Sequence, residues 1–220
     1  SLKKIFFRQL GIKIPKYDLN ILEKSAIKTV SQILIKIEQV ILKEKPDAFF
    51  VLGDTNSALS SLVAKKYKIP IFHYEAGNRC YDQRVPEEIN RKIVDHISDI
   101  NLTYSNFAKD NLLKEGLDKN RIIKIGGPLK EVINANLSEI KSNKILRKLK
   151  IFKDNYFLFS FHREENVDDQ NQLKKFVKVI NHLSKTVNEK IVLTLHPRTK
   201  KNLIKNKLKL NKKIIVSRPF

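Results

Sequence analysis

The chain has 220 residues, 41% of them hydrophobic, with only six glycines and seven prolines, so it can bury a core and lacks the composition of a disordered polymer. Its 44 Lys plus Arg against 23 Asp plus Glu give a net charge of +21, yet residues 45–105 carry eight of each sign; the surplus lies in lysine-rich turns and helices and does not mark a nucleic-acid site. A single cysteine, Cys80, excludes an internal disulfide and fits a reducing cytoplasm, and no run reaches the ~18 to 20 apolar residues of a membrane span or forms a signal peptide.

Apolar residues at 27, 30, 34, 37 and 41 follow the helical 3-4 spacing and predict an amphipathic helix over 24–44. "DAFFVLG" is a short apolar run ending in Gly53-Asp54-Thr55, a buried strand and its turn. Residues 57–67 read as a helix and "IPIFHY" as the next strand. Pro86 begins another helix, with Glu87 and Glu88 in the first turn, where the helix dipole favours acids; Ile89, Ile93, Val94 and Ile97 would supply its core face. "INLTY" is a strand, Ser105 caps a helix that stops near Gly116, and "RIIKI" is a strand leading to Gly126-Gly127-Pro128 and another helix. Then come a lysine-rich helical stretch, the strands "YFLFSF", "KIVLTL" and "KKIIVS", and helices near 169–187 and 199–207.

Short apolar strands alternating with helices predict an α/β protein whose parallel sheets are covered on both faces. The expected architecture is two Rossmann-like, doubly wound domains facing a cleft: 1–140, a helical linker at 141–153, and 154–220. In such sheets ligands bind beyond the carboxyl ends of the strands. Asp54 follows the first strand, Glu75 the second, His162 and Arg163 "YFLFSF", and His196 and Arg198 "KIVLTL". Carboxylates on one domain suit proton transfer or hydroxyl recognition, and arginine and imidazole on the other suit a diphosphate.

Each of these residues has a plainer reading. Asp54 is equally a turn or capping residue, Glu87 and Glu88 equally serve the helix start, and Arg79, Arg84 and Arg91 equally pair with neighbouring acids. His73, His96 and His182 read as face or core residues. No metal-ligand spacing, CxxC, GxGxxG, P-loop or GxSxG turn is present.

Taken together, "GDT", "HYEAGNR", "PEEINR", "FHREEN" and "HPRT", in this order and spacing, resemble the non-hydrolysing UDP-N-acetylglucosamine 2-epimerase family over nearly the whole chain. The segment "NRCYDQRVPEEINRKIVDHISDINLTYS" is similar to a subgroup acting on modified UDP-N-acetylated sugars, of the UDP-N-acetyl-L-fucosamine and diacetamido-glucuronic acid type. The resemblance implies a glycosyltransferase-B-like fold, a homodimer, no metal or nicotinamide cofactor, and a role in capsule, O-antigen or other cell-surface polysaccharide precursors. It implies that Asp54, Glu75 and Glu87 are acid-base or sugar-positioning carboxylates and that His162 lies against the diphosphate or reacting centre. Arg91, Arg163, His196, Glu88 and Arg84 are the further substrate-binding candidates, with Arg91, Arg163 and His196 serving the anion. The family's opening strand with its glycine-arginine-proline-glutamate loop, and its later serine-glycine-glycine segment, are not found. With Ser1 at the start and no methionine, the chain reads as a piece of a longer protein, inactive alone and exposing apolar edges. The rival readings are a glycosyltransferase of the same fold and a non-catalytic UDP-sugar-binding protein.

Overall fold

The computed structural model describes residue 7, residues 11–21, residue 23 and residues 25–217, the side chains of 164 and 165 excepted. The outer ends of both expected domains, and the first residue of the expected helix 24–44, lie outside the described residues. The chain divides into two units, Ser1–Val132 and Ile133–Phe220.

In the first unit, α1 (Ala26–Glu44) precedes β1 (Phe49–Leu52). A 3-10 turn (Asn56–Ser60) runs into α2 (Ser61–Lys66) and then β2 (Ile71–Tyr74). There follow α3 (Pro86–Ile97), β3 (Ile100–Thr103), α4 (Asn106–Lys114), a second 3-10 turn (Lys119–Arg121), β4 (Ile122–Lys124) and α5 (Leu129–Ala135), in which the unit boundary falls. Ser105 caps α4 by accepting from the Ala108 N–H at 3.1 Å, as its position predicts. The four strands are parallel in the order β1-β2-β3-β4, with Leu52 opposite Tyr74 and Tyr74 opposite Leu102. Parallel pairing puts every strand's carboxyl end on one edge, which brings residues after β1 and β2 together although some twenty positions separate them. The core joins Ile41 of α1, Val51 of β1, Leu59, Ile71 of β2 and Val94 of α3. Full burial of side chains such as Ile71 and Val94 is worth about 1.5 to 3 kcal/mol each.

One expectation fails here. Of the apolar face predicted for α3, Val94 is buried, but Ile89 and Ile93 are 46% and 36% exposed. The helix instead buries Glu88, Asn90, Arg91 and Asp95. Periodicity places the apolar stripe inward by default; here the polar stripe is inward because partners on the β1 and β2 loops satisfy it.

The second unit begins with two short helices, α6 (Leu137–Ser142) and α7 (Ile145–Leu149), in and beside the stretch expected as a linker. Then come β5 (Tyr156–Ser160), α8 (Glu164–Asp168), α9 (Gln170–Thr186), β6 (Lys190–Thr194), α10 (Pro197–Lys205) and β7 (Ile214–Ser217). Its strands are parallel in the order β5-β6-β7. Asp169 caps α9 by accepting from the N–H groups of Asn171 and Gln172 at 2.7 and 2.9 Å. Leu173, Val177 and Ile180 on one face of α9 pack with Ile191, Leu193, Leu203 and Ile214, and Phe161 stacks on Phe176 with centroids 4.0 Å apart. β1 and β5 leave Phe50, Leu52, Phe157 and Leu158 46 to 62% exposed. No helix among the described residues is long and apolar enough to cross a membrane.

Candidate functional site

Asp54 lies in the turn after β1, and Glu75 follows β2 directly. The strand pair is prolonged by one bond, Gly53 N–H to the Tyr74 carbonyl at 3.0 Å, so the turn leaves the sheet in a fixed direction. Glu75 itself has φ +72°, a conformation that costs a non-glycine residue on the order of 1 to 3 kcal/mol and clusters at functional positions. Its N–H and that of Ala76 both donate to the Leu102 carbonyl at 3.1 Å, which holds the bend.

Arg91 of α3 ties the two acids together. Its Nη2 is paired with the Asp54 carboxylate and lies 3.3 Å from Glu75 Oε1, while Nη1 donates to the Glu75 carbonyl oxygen. The Arg91 side chain is 8% exposed, and the Asp54 and Glu75 side chains are 22% and 33% exposed. A buried cation thus screens two carboxylates that still open to solvent. Asn90, the preceding residue, donates to the Asp54 carbonyl at 2.9 Å and to Asn56 Oδ1 at 3.2 Å. Arg91, expected as an anion-binding group, is therefore engaged by the protein's own carboxylates.

Beside Glu75, Tyr104 leaves the end of β3 edge-on to Tyr74, with ring centroids 5.2 Å apart. Burial first, and the Glu75 charge second, push the Tyr104 hydroxyl up to about 12, so it keeps its proton at neutral pH.

The other acids and Arg84 are placed differently. Glu87 is exposed in the first turn of α3, four residues before Arg91. Glu88 is buried and accepts from the Cys80 N–H at 2.9 Å, with Lys92 Nζ 3.3 Å away. Burial alone would push the Glu88 carboxyl up, but these two contacts hold it below the usual range. Arg84 forms an exposed fork on Asp82, Nε to Oδ1 at 2.9 Å and Nη2 to Oδ2 at 2.7 Å, and this holds the Asp82 carboxyl at about 2. Neither Glu88 nor Arg84 joins the Asp54–Arg91–Glu75 cluster.

Behind that cluster runs a buried polar chain that sequence reasoning missed. His73 of β2 contacts the Gly53 carbonyl through Nε2 at 2.9 Å and Asp95 through Nδ1 at 2.8 Å. Asp95 also pairs with Arg79 at 2.7 Å, and Arg79 forks onto Glu115 at 2.6 and 2.7 Å. His96 Nε2 closes the chain 3.2 Å from Glu115. The Gly77 N–H donates to Asp95 at 3.2 Å, and only glycine fits there: at φ +77° an added Cβ would lie 2.2 Å from the Ala108 carbonyl oxygen. The signal available was spacing, since Asp95 lies one helical turn beyond Arg91 on the same face, and His73, Arg79 and Asn90 sit inside "HYEAGNR" and "PEEINR".

On the second unit, His162 and Arg163 are exposed after β5, with His162 Nδ1 3.1 Å from Ser160 Oγ. His196 follows β6 and caps α10, its Nδ1 accepting from the Arg198 N–H at 3.3 Å. Arg198 pairs with Asp168, which lowers that carboxyl. His162, Arg163 and His196 thus share the carboxyl edge of one sheet, as Asp54 and Glu75 share that of the other. Among the described residues no group of three His, Cys, Asp or Glu side chains is placed to hold a metal.

The family profile for UDP-N-acetylglucosamine 2-epimerase matches residues 1–220. The UDP-N-acetylglucosamine 2-epimerase of Methanocaldococcus jannaschii is 41% identical over 227 residues, covering 100% of this chain and 62% of that protein. The UDP-2,3-diacetamido-2,3-dideoxy-D-glucuronate 2-epimerase of Pseudomonas aeruginosa is 38% identical over 218 residues, covering 98% and 60%. A solved structure of the Rickettsia bellii UDP-N-acetylglucosamine 2-epimerase superposes with a TM-score of 0.90 at 44% identity, covering 100% of this chain and 58% of that one. The M. jannaschii enzyme in complex with UDP-GlcNAc and UDP superposes with a TM-score of 0.89 at 42% identity, covering 98% and 61%. The chain therefore spans about three fifths of the length of the relatives it matches. The chain belongs to the UDP-N-acetylglucosamine 2-epimerase family.

Proposed function

We propose that the protein is a UDP-N-acetyl-sugar 2-epimerase, an isomerase that inverts C2 by eliminating UDP and adding it back. The observation that carries this reading is the Asp54–Arg91–Glu75 cluster, two solvent-open carboxylates on one buried guanidinium at a sheet's carboxyl edge in a chain of this family. In the forward step the C1–O bond breaks and its electron pair leaves with UDP. A carboxylate takes the C2 proton, and the C2–H electrons become the C1=C2 double bond of a glycal. In the return step a protonated carboxyl delivers its proton to the opposite face of C2, and the β-phosphate oxygen re-forms the bond to C1.

The physical logic favours this division of labour. A C2 hydrogen with no adjacent carbonyl is very weakly acidic, and departure of the diphosphate builds positive charge at C1 that makes the proton removable. General acid-base help is worth about 10²- to 10⁴-fold, and stabilising developing charge is often the larger contribution. Asp54, Glu75 and Glu87 are the proposed acid-base and sugar-positioning groups. His162, Arg163 and His196 are the proposed partners of the diphosphate. Two Rossmann-like domains of the glycosyltransferase-B type, a homodimer, a cytoplasmic setting and supply of cell-surface polysaccharide precursors complete the proposal on the strength of the family.

The test is to incubate the intact protein with UDP-N-acetylglucosamine and its 2,3-diacetamido uronate analogue in deuterated water and follow C2 by NMR. Deuterium entering C2 together with the epimer supports the reading, and the responsive sugar names the substrate. Transfer of the sugar to an added acceptor without C2 exchange would instead make it a glycosyltransferase. Tight binding with neither outcome would make it a sensor.

A further inference from the structure

We propose that His73 is a positioning residue for Asp54 and Glu75, a hydrogen-bonded strut between the turn that carries Asp54 and the helix that carries Arg91; its catalytic consequence rests on the epimerase reading above. His73 has no exposed surface, so it cannot touch a substrate. Its two ring nitrogens nevertheless meet two acceptors. The Gly53 carbonyl, 2.9 Å from Nε2, can only accept, so Nε2 carries a proton. Asp95 lies 2.8 Å from Nδ1 and already accepts from the Gly77 N–H and pairs with the Arg79 guanidinium at 2.7 Å.

The charged groups packed around the imidazole are Asp95, Arg79 and, beyond Arg79, Glu115. The ends of this buried chain are what matter. His73 fixes the carbonyl one residue before Asp54, and Asp95 fixes the N–H two residues after Glu75. One buried node therefore sets the distance between two loops whose acids must reach one carbon. Arg91 sits on the same helix as Asp95, so its guanidinium is placed by that node too.

The experiment uses the intact protein labelled with ¹⁵N-histidine. His73 Nε2 is expected to show an attached, slowly exchanging proton, as its contact with the Gly53 carbonyl requires; a bare Nε2 would overturn the strut. The second readout is kinetic. In His73→Asn the side-chain amide reaches only the Nδ1 position and the Gly53 contact is lost, whereas His73→Gln reaches the Nε2 position and keeps it. For His73→Asn, kcat is expected to fall on the order of 100-fold, as for a small misplacement of reacting groups, with KM changed less than about threefold. His73→Gln should recover at least about tenfold of that loss. Wild-type kcat per folded molecule in His73→Asn would overturn the positioning role, as would equal damage in both variants. If His73→Asn does not fold, the His73→Gln kcat and the nitrogen signals decide. If the wild-type protein shows no C2 exchange, the epimerase reading has failed, and the nitrogen signals still decide whether the strut exists.

Discussion

Arg91 holds Glu75 at both ends, Nη1 donating to its backbone carbonyl and Nη2 lying 3.3 Å from its carboxylate. The same Nη2 pairs with Asp54, so one planar cation sets the separation of two acids from different loops. A lysine ammonium is a point charge and cannot hold three acceptors in this fork. Arg91→Lys should lower C2 deuterium exchange on the order of 10²-fold and destabilise the fold by about 1 to 3 kcal/mol. Exchange by NMR and urea denaturation measure the two effects. Wild-type exchange in Arg91→Lys would leave the cluster without a role in the chemistry.

Glu75 separates backbone strain from chemistry. At φ +72° a side chain is disfavoured, and glycine relieves the strain without restoring the carboxylate. Glu75→Gly should therefore be more stable than Glu75→Ala by about 1 kcal/mol, while both lose exchange to a similar extent. Glu75→Gln should keep the strained bend but lower exchange by at least about 10²-fold. Equal stability of the glycine and alanine variants would mean that the bend carries no strain.

The parts of this site that sequence reasoning located are those whose signal is local. A carboxylate directly after a short apolar run, as at Asp54 and Glu75, stands out because strand ends are local features and parallel topology gathers them. The inward face of α3 was not legible for the opposite reason. Ile89 and Ile93 look like core residues until Asp54, Glu75, His73 and Arg79, contributed from other loops, supply partners that make Arg91 and Asp95 cheaper to bury than their apolar neighbours. A helical wheel contains no information about those partners. His73 was passed over similarly, since a histidine within a strand announces nothing until its two acceptors are placed around it.

Gly77 and Gly127 should respond unequally to alanine. A Cβ on Gly77 would meet the Ala108 carbonyl oxygen at 2.2 Å and the Leu112 side chain at 2.9 Å, and the backbone there is left-handed. On Gly127 it would meet only the Tyr104 ring, at 3.5 Å, an ordinary contact. Gly77→Ala should cost more than about 3 kcal/mol and release the Gly77 N–H from Asp95. Gly127→Ala should stay within about 1 kcal/mol of wild type. Denaturation midpoints compare them, and a tolerated Gly77→Ala would show that the Gly77–Ala108 approach is not fixed.

Glu115 gives the buried polar chain a pH signature. Its carboxyl is lowered, foremost by the hydrogen bonds from Arg79 and with His96 adding to the effect, while burial opposes it. A lowered folded value means that the pairing stabilises the protein fully above the ordinary value of 4.5 and is lost as pH falls below it, through the folded value. Glu115→Gln removes the titrating group and one side of the Arg79 fork. The variant should therefore be less stable than wild type by about 1.5 to 3 kcal/mol at neutral pH, and the difference should shrink as pH falls from about 4.5 towards 3. Urea denaturation of both proteins across that range is the measurement. Acid loss from other paired carboxylates, Asp168 and Glu88 among them, is common to both curves and drops out of the difference. Curves that stay parallel down to the lowest pH would mean that the Glu115 charge does not stabilise the fold, and that Asp95 alone compensates Arg79.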